Sequence, residues 1–378
     1  MQQLYPSFTF EIVNFETKGD KILNISLPKI GDKGLFTKEL EDALEKGTID
    51  FVVHSLKDMP CQTMPDNLIL AGIPEREDPS DALVVAKRWQ GIKFSLDELD
   101  ENSVIGTSSL RRISQLKSKY PKFKFETIRG NLQTRFSKLD DEVDKKFDAI
   151  ILATAGLKRM GYSERITQIL PFDICMHAVS QGALGIECRL NDLEMIQMIN
   201  RLNDETTLLR CIAERTFLAR LEGGCSAPVG VVSKVTDDYI LLEGLVLDLC
   251  GNQKIYDKFE IKFSNSTLND CPMISKLNET TKLDIKRKLD EDNTDEDEDT
   301  KKAKVANEAE ESKESLIISN RYEDKNIKHF SYIVDLKMDQ NKMIKAELCG
   351  LHLAQKIKDK GGDVLIRECK EQVLRSNN

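Results

Sequence analysis

Histidine, aromatic residues and long apolar runs are scarce in this chain, and each shortage excludes a kind of chemistry. Four histidines occur in 378 residues and none is paired with another, so metal catalysis is not expected. The nine cysteines are an odd number and include no Cys-x-x-Cys, which argues against both a zinc site and a disulfide framework. No stretch approaches the ~20 consecutive apolar residues that a membrane helix requires. The start, Met1-Gln2-Gln3-Leu4-Tyr5-Pro6, lacks the charged-then-apolar layout of a signal peptide. A cytoplasmic or nuclear chain with no membrane partner is therefore expected. A net charge of −9 argues against binding nucleic acid by bulk electrostatics. What remains, 40% hydrophobic and 31% charged, fits a globular protein long enough for two or three domains.

The element order reads as α/β. Phe8 to Val13 and Lys21 to Leu27 are rich in strand formers, and Gly31-Asp32-Lys33-Gly34 is a candidate mobile loop. Phe36, Leu40, Ala43 and Leu44 then recur at helical spacing, with Gly47 as the C-cap. Phe51-Val52-Val53-His54-Ser55-Leu56-Lys57-Asp58-Met59-Pro60 follows, a buried strand that delivers Lys57 and Asp58 to its tip before Pro60 ends it. This β-loop-α-β order is the grammar of a parallel sheet. Further strands are expected at 81–85, 104–106, 123–128 and 147–153, with Arg88-Trp89-Gln90-Gly91 as a linker into the second set. Residues 180–187 read as a loop entering a strand, and a helix opens at Asp204-Glu205 and runs toward Cys225. Strands at 229–232, 239–248, 330–336 and 364–366 and a helix near 343–358 complete a third unit. Residues 272–315, dominated by Asp, Glu and Lys, can bury nothing and are expected to form a disordered loop.

Strand tips and helix starts carry Lys57, Arg111, Arg112, Arg129, Arg135 and Arg159. Read singly, each arginine is a solvated helix start or a surface ion pair. Together they imply a ligand bearing many carboxylates or phosphates, because the guanidinium pairs such groups bidentately. Asp58 is the one carboxylate in that ring, expected to be held ionised unless burial opposes it. Cys225 lies between Gly223-Gly224 and Pro228. It is either a small buried hydrophobe or a sulfur presented on a rigid turn, with no histidine near it in sequence to act as a base.

These segments resemble one family in combination: Gly34-Leu35-Phe36-Thr37-Lys38-Glu39-Leu40, the His54 to Pro60 run, Gly106-Thr107-Ser108-Ser109-Leu110-Arg111-Arg112, Arg129-Gly130-Asn131-Leu132-Gln133-Thr134-Arg135, Ala155-Gly156-Leu157-Lys158-Arg159, Gln181-Gly182-Ala183-Leu184-Gly185 and Glu222-Gly223-Gly224-Cys225. The chain is similar to the porphobilinogen deaminases, also called hydroxymethylbilane synthases, almost continuously from Thr17 to about Gly230. The resemblance implies a transferase of haem biosynthesis that joins four porphobilinogen molecules head to tail into hydroxymethylbilane, with loss of ammonia, on a dipyrromethane cofactor held by a thioether to Cys225. It implies Asp58 as the catalytic carboxylate. It assigns Ser55, Lys57, Thr107, Ser109, Arg111, Arg112, Arg129, Gly130, Arg135, Arg159 and Gln181 to cofactor and substrate binding, with Lys33 and Phe36 on the mobile loop. The implied fold has three α/β domains, the first two like periplasmic binding proteins with the active-site cleft between them. In this chain they are 1–86 with 176–200, then 90–175, then a small α/β domain, 204–378, carrying the cofactor cysteine. A monomer without a metal is implied. One departure stands out: the family's opening strand and helix, with an Arg/Lys-x-Ser-x-Leu-Ala motif, have no counterpart here. This raises the alternative of a truncated chain of little activity that keeps an oligocarboxylate-binding cleft. A periplasmic-type solute receptor is disfavoured, having no use for Cys225.

Overall fold

The computed structural model describes residues 1–15, 17, 37–221, 227–264 and 329–375. The expected strand at 21–27, the loop with Lys33 and Phe36, the turn with Cys225 and the acidic stretch 272–315 lie outside the described residues.

Helix α1 (Lys38–Glu45) is closed by Gly47, whose N–H reaches the Leu44 carbonyl at 3.0 Å with φ at +68°. Strand β1 (Phe51–Ser55) ends in a single 3-10 turn, Leu56–Asp58, so Lys57 and Asp58 do stand at a strand tip. After β2 (Leu68–Gly72) the chain leaves the first sheet and builds β3 (Asp81–Val85), β4 (Val104–Gly106), α2 (Leu110–Lys119), β5 (Lys124–Glu126), α3 (Leu132–Leu139), β6 (Ala149–Ala153), α4 (Thr154–Arg159) and β7 (Gln168–Ile169). It returns through β8 (Leu184–Arg189) and α5 (Leu193–Asn200), then continues as α6 (Glu205–Arg220), β9 (Val229–Val235), β10 (Tyr239–Leu247), β11 (Lys254–Lys262), α7 (Gln340–Asp359) and α8 (Gly362–Arg375).

The first sheet has the order β1-β8-β2 among the described strands, and both pairings are antiparallel. The returning β8 inserts between β1 and β2, and the strand at 21–27, expected to run parallel to β1, lies outside the described residues. The second sheet, β5-β4-β6-β3-β7, is mixed: β4 runs parallel to β5 and β6, and β3 runs antiparallel to β6 and β7. Strand β3, expected with the first domain, therefore pairs in the second sheet, and the chain crosses between sheets before Ser80 rather than at Arg88. Both faces of this sheet are covered. Leu83 and Val85 pack with Ile105, Leu116 and Phe123 on one side, while Ala82 and Val84 pack with Phe136, Ile150 and Leu157 on the other. That explains why β3 and β6 are apolar without alternation.

The third unit pairs β9, β10 and β11 antiparallel and backs them with α6 and α7. Asp204 caps α6 by accepting the Thr207 N–H at 2.7 Å. Its core is continuous with the first sheet: Leu56, Met59, Leu70 and Ile73 pack in one cluster with Leu209, Ile212 and Phe217 of α6.

Three expected strands took other forms. Residues 8–13 form no regular element. Ile333 bridges Leu70 of β2, so 330–336 serves the first sheet rather than the third unit. Residues 364–366 lie in α8, where Leu365, Ile366 and Cys369 are buried at helical spacing. Short apolar runs do not distinguish helix from strand. Residues 1–15 pack onto the first unit through Tyr5, whose hydroxyl donates to the Met198 carbonyl at 3.2 Å, and through the edge-on rings of Phe10 and Phe51.

Glu347 of α7 is buried, and its Oε2 has no hydrogen-bond partner among the described residues. Burial pushes its carboxyl up to about 8, with only the more distant Arg220 opposing. The acid stays neutral in the fold but ionises in the unfolded chain above about 4.5, so its cost to stability grows as pH rises from there toward 8. Glu347→Gln should raise stability by roughly 2–3 kcal/mol at pH 7 and have little effect near pH 4.5. Urea unfolding at the two pH values checks this.

Candidate functional site

The turn carrying Lys57 and Asp58 is pinned by its apolar neighbours. Leu56 and Met59 are buried on either side, and the Leu56 N–H donates to the Ala183 carbonyl at 3.0 Å. Between them Lys57 is half-buried and Asp58 exposed. The side chain of Asp58 is open to solvent, yet protein crowds it closely. That crowding raises its carboxyl above the ordinary value, against the pull of Lys57, then His54 and Arg135. Crowding thus outweighs the neighbouring cations, the one condition under which a lowered carboxyl was not expected. Lys57 is pushed down, mainly by desolvation, with Asp58 opposing.

Behind this pair lies a residue that the strand-tip reading passed over. Asp81, at the start of β3, is fully buried. Its carboxylate accepts from Arg111 Nη1 at 2.6 Å, Arg112 Nη2 at 2.7 Å, Arg112 Nε at 3.0 Å and Gln181 Nε2 at 2.9 Å. Burial alone would favour the neutral acid, but Arg111 and Arg112 hold the carboxyl well below the usual range. Arg111 also donates to the Met176 carbonyl at 2.7 Å and Arg112 to the Ile151 carbonyl at 2.8 Å. Both arginines belong to α2 and are buried. They form a braced cationic wall rather than the free tips that the sequence implied. Gln181 joins the halves: its Nε2 reaches Asp81, and its Oε1 accepts from Lys57 Nζ at 3.5 Å. No motif pointed to Asp81 because a carboxylate opening an apolar strand looks like an ordinary strand start.

Two further cations, Arg129 and Arg135, lie on the loop before α3 and on α3 itself. Asn131 caps α3 by accepting the Thr134 N–H at 2.9 Å. Arg135 Nε donates to the Gly130 carbonyl at 2.8 Å, and Gly130 has φ at +108°, where an added Cβ would lie 2.6 Å from Thr134 Cγ2. A left-handed, crowded backbone of this kind requires glycine. Burial, Arg112 and Arg129 together push Arg135 down to about 10, with Asp58 opposing. Arg159 is exposed and donates to the Gly182 carbonyl at 2.7 Å. Thr107 is buried and accepts from the Ser109 N–H at 3.3 Å, and Ser109 sits at the N-cap of α2 without capping it through its side chain. Ser55 is exposed on β1. The structure therefore gathers Lys57, Asp58, Arg111, Arg112, Arg129, Arg135 and Gln181 into one electrostatic neighbourhood, with Arg159 beside Gly182.

A second buried network braces the crossing between sheets. Arg76 grips Glu214 of α6 at 2.7 and 3.1 Å and donates from Nε to the Gln181 carbonyl at 2.8 Å. Glu214 also accepts from the Ser180 N–H at 2.7 Å and the Ser233 hydroxyl at 2.5 Å. Burial works against the charge, yet Arg76 and His177 bring Glu214 down to about 2. At Gly182, with φ at +88°, an added Cβ would lie 2.3 Å from the Glu77 carbonyl oxygen, so the two crossing segments touch backbone to backbone.

The arrangement offers an anion cradle. Arg135 is pushed down by burial, Arg112 and Arg129, and Asp58 opposes them. A ligand dense in carboxylates relieves that repulsion, so the donor set fits a dipyrromethane bearing acetate and propionate groups. Asp81→Ala should leave two buried guanidiniums without their counter-charge and cost about 3–5 kcal/mol, measured by urea unfolding near neutral pH.

Comparisons with known proteins agree on one family. Residues 1–197 match the family model "Porphobilinogen deaminase, dipyromethane cofactor binding domain", and residues 208–276 match "Porphobilinogen deaminase, C-terminal domain". A porphobilinogen deaminase of Synechococcus elongatus is 50% identical over 258 residues, covering 68% of this chain and 79% of that protein. One of Prochlorococcus marinus is 48% identical over 277 residues, covering 73% and 85%. Among solved structures, an amino acid ABC transporter substrate-binding protein of Streptococcus pneumoniae aligns over 43% of this chain and 63% of its own at 15% identity. Its TM-score of 0.25 is too low to bear on the fold. With half of the chain inside one family model and half of the aligned residues identical in the relatives, this chain belongs to the porphobilinogen deaminase family.

Proposed function

We propose that the chain makes hydroxymethylbilane by deaminating and joining four porphobilinogen molecules, as a transferase of tetrapyrrole synthesis. The observation that carries the reading is Asp58, an exposed carboxylate on a pinned turn, acted on by Lys57, His54 and Arg135. Loss of ammonia from the aminomethyl group leaves a cation spread over the pyrrole ring. A preorganised carboxylate at the ring N–H stabilises that charge as it develops. Crowding makes the Asp58 charge costly when no cation faces it, so the stabilisation is greatest in the transition state. The same raised carboxyl suits Asp58 to accept the ring proton released as each new carbon–carbon bond forms.

Lys57, Arg129 and Arg135 would hold acetate and propionate groups, with Ser55, Thr107, Ser109, Gly130 and Arg159 completing the binding set. Arg111, Arg112 and Gln181 would shape the wall behind them. The dipyrromethane, attached through Cys225, would supply the nucleophilic pyrrole on which the chain grows. Lys33 and Phe36 are assigned to a loop over the cleft. The three-domain division keeps the boundaries read from sequence, with β3 passed to the second domain. A monomeric, cytoplasmic enzyme is part of this reading; among the described residues no helix is long and apolar enough to cross a membrane.

Intact-protein mass spectrometry after exposure to porphobilinogen tests it. The protein should gain a two-pyrrole adduct that Cys225→Ala lacks, and Asp58→Ala should lose roughly 100-fold or more in product formation. A wild-type chain with neither adduct nor product would instead support the inactive-cleft alternative.

A further inference from the structure

Arg215 of α6 has no exposed surface, and its guanidinium is spent on main chain from another unit. Nη2 donates to the Pro60 carbonyl at 2.6 Å and Nη1 to the Met59 carbonyl at 3.4 Å, while Nε has no partner among the described residues. A buried charge is expensive to keep, and methionine or leucine would fill such a space with less penalty. What arginine adds is a rigid fork able to fix two carbonyls at once. Those two carbonyls follow directly on Asp58. The near side of the same turn is tied to the first sheet by the Leu56 N–H to Ala183 bond, and Arg215 supplies the tie nearest Asp58 on the far side. The helix that bears Arg215 ends at Arg220 and leads on to Cys225, ten residues along the chain from Arg215.

We propose that Arg215 is a positioning residue for the reaction. From the helix that leads to the cofactor-bearing segment it holds the turn after Asp58, and so sets the catalytic carboxylate in register with the growing end. The proposal rests on the reading of Asp58 and Cys225 above. A displacement of about 1 Å at a reacting group is enough to cost roughly 100-fold in rate, and without Arg215 the Met59 and Pro60 carbonyls lose their guanidinium donors, leaving the Leu56 bond on one side and the Gln62 bonds to Ala219 and Tyr332 beyond Pro60.

The test compares Arg215→Met and Arg215→Lys with wild type and Asp58→Ala, all treated with porphobilinogen. Each is assayed for adduct loading by intact mass, for turnover per loaded molecule, and for hydrogen exchange in the peptide 56–61. Arg215→Met is expected to load normally, to exchange faster in that peptide, and to lose roughly 10- to 100-fold in kcat with KM within about threefold. Arg215→Lys, which keeps one donor and the charge, should recover part of the loss. Wild-type kcat per loaded molecule in Arg215→Met overturns the proposal, as does failure of both variants to give folded, loaded protein, which would make the residue a folding determinant. Undiminished turnover in Asp58→Ala would overturn the reading of Asp58 itself, and is distinguishable from either result.

Discussion

The carboxylate of Asp81 is the interaction on which the site depends. It lies in the interior, accepts from Arg111, Arg112 and Gln181, and stays ionised because two guanidiniums outweigh its burial. Without it, the start of α2 would carry two adjacent buried cations with nothing to balance them. With it, that helix start becomes a rigid wall of positive potential. Gln181 extends the order to Lys57 on the turn after β1. One buried acid thus sets the second sheet, the crossing segment and the reactive turn in a common frame.

The frame leaves a deliberate imbalance in front of it. Arg129 and Arg135 lose ease of ionisation to burial, Arg135 also to its cationic neighbours, and Asp58 is raised by crowding despite the cations around it. Local charges that are each held at a cost mark a surface arranged for a partner rather than for its own stability. A pyrrole bearing two carboxylates and passing through a cationic intermediate meets both needs: its acids answer the arginines, and its transient charge answers Asp58. Arg76 with Glu214, and Arg215 with the Met59 and Pro60 carbonyls, then tie the third unit to this centre.

Much of the site could be read from the chain because its groups cluster at strand tips. The turn after β1, the start of α2 and the loop before α3 were legible as places where charge follows an apolar run. What each charge does was not legible. Arg111 and Arg112 looked equivalent to Arg135 in sequence, and only Asp81, 30 residues from Arg111, separates braced cations from freer ones. The same limit applies to the fold. The run at 364–366 suits helix or strand equally, and packing against β10 decides for α8. The antiparallel insertion of β8 between β1 and β2 is a long-range event that no local pattern encodes. Arg215 stayed hidden for a similar reason, since a single arginine within a helix looks like surface.

The most direct measurement of the central claim is a crystal structure of the protein after reaction with porphobilinogen. The account predicts pyrrole N–H groups within hydrogen-bond distance of the Asp58 carboxylate and acetate or propionate groups on Lys57 and Arg135, with Asp81 still paired to Arg111 and Arg112. Pyrroles bound elsewhere, or Arg111 and Arg112 released from Asp81 to take the ligand carboxylates, would contradict it.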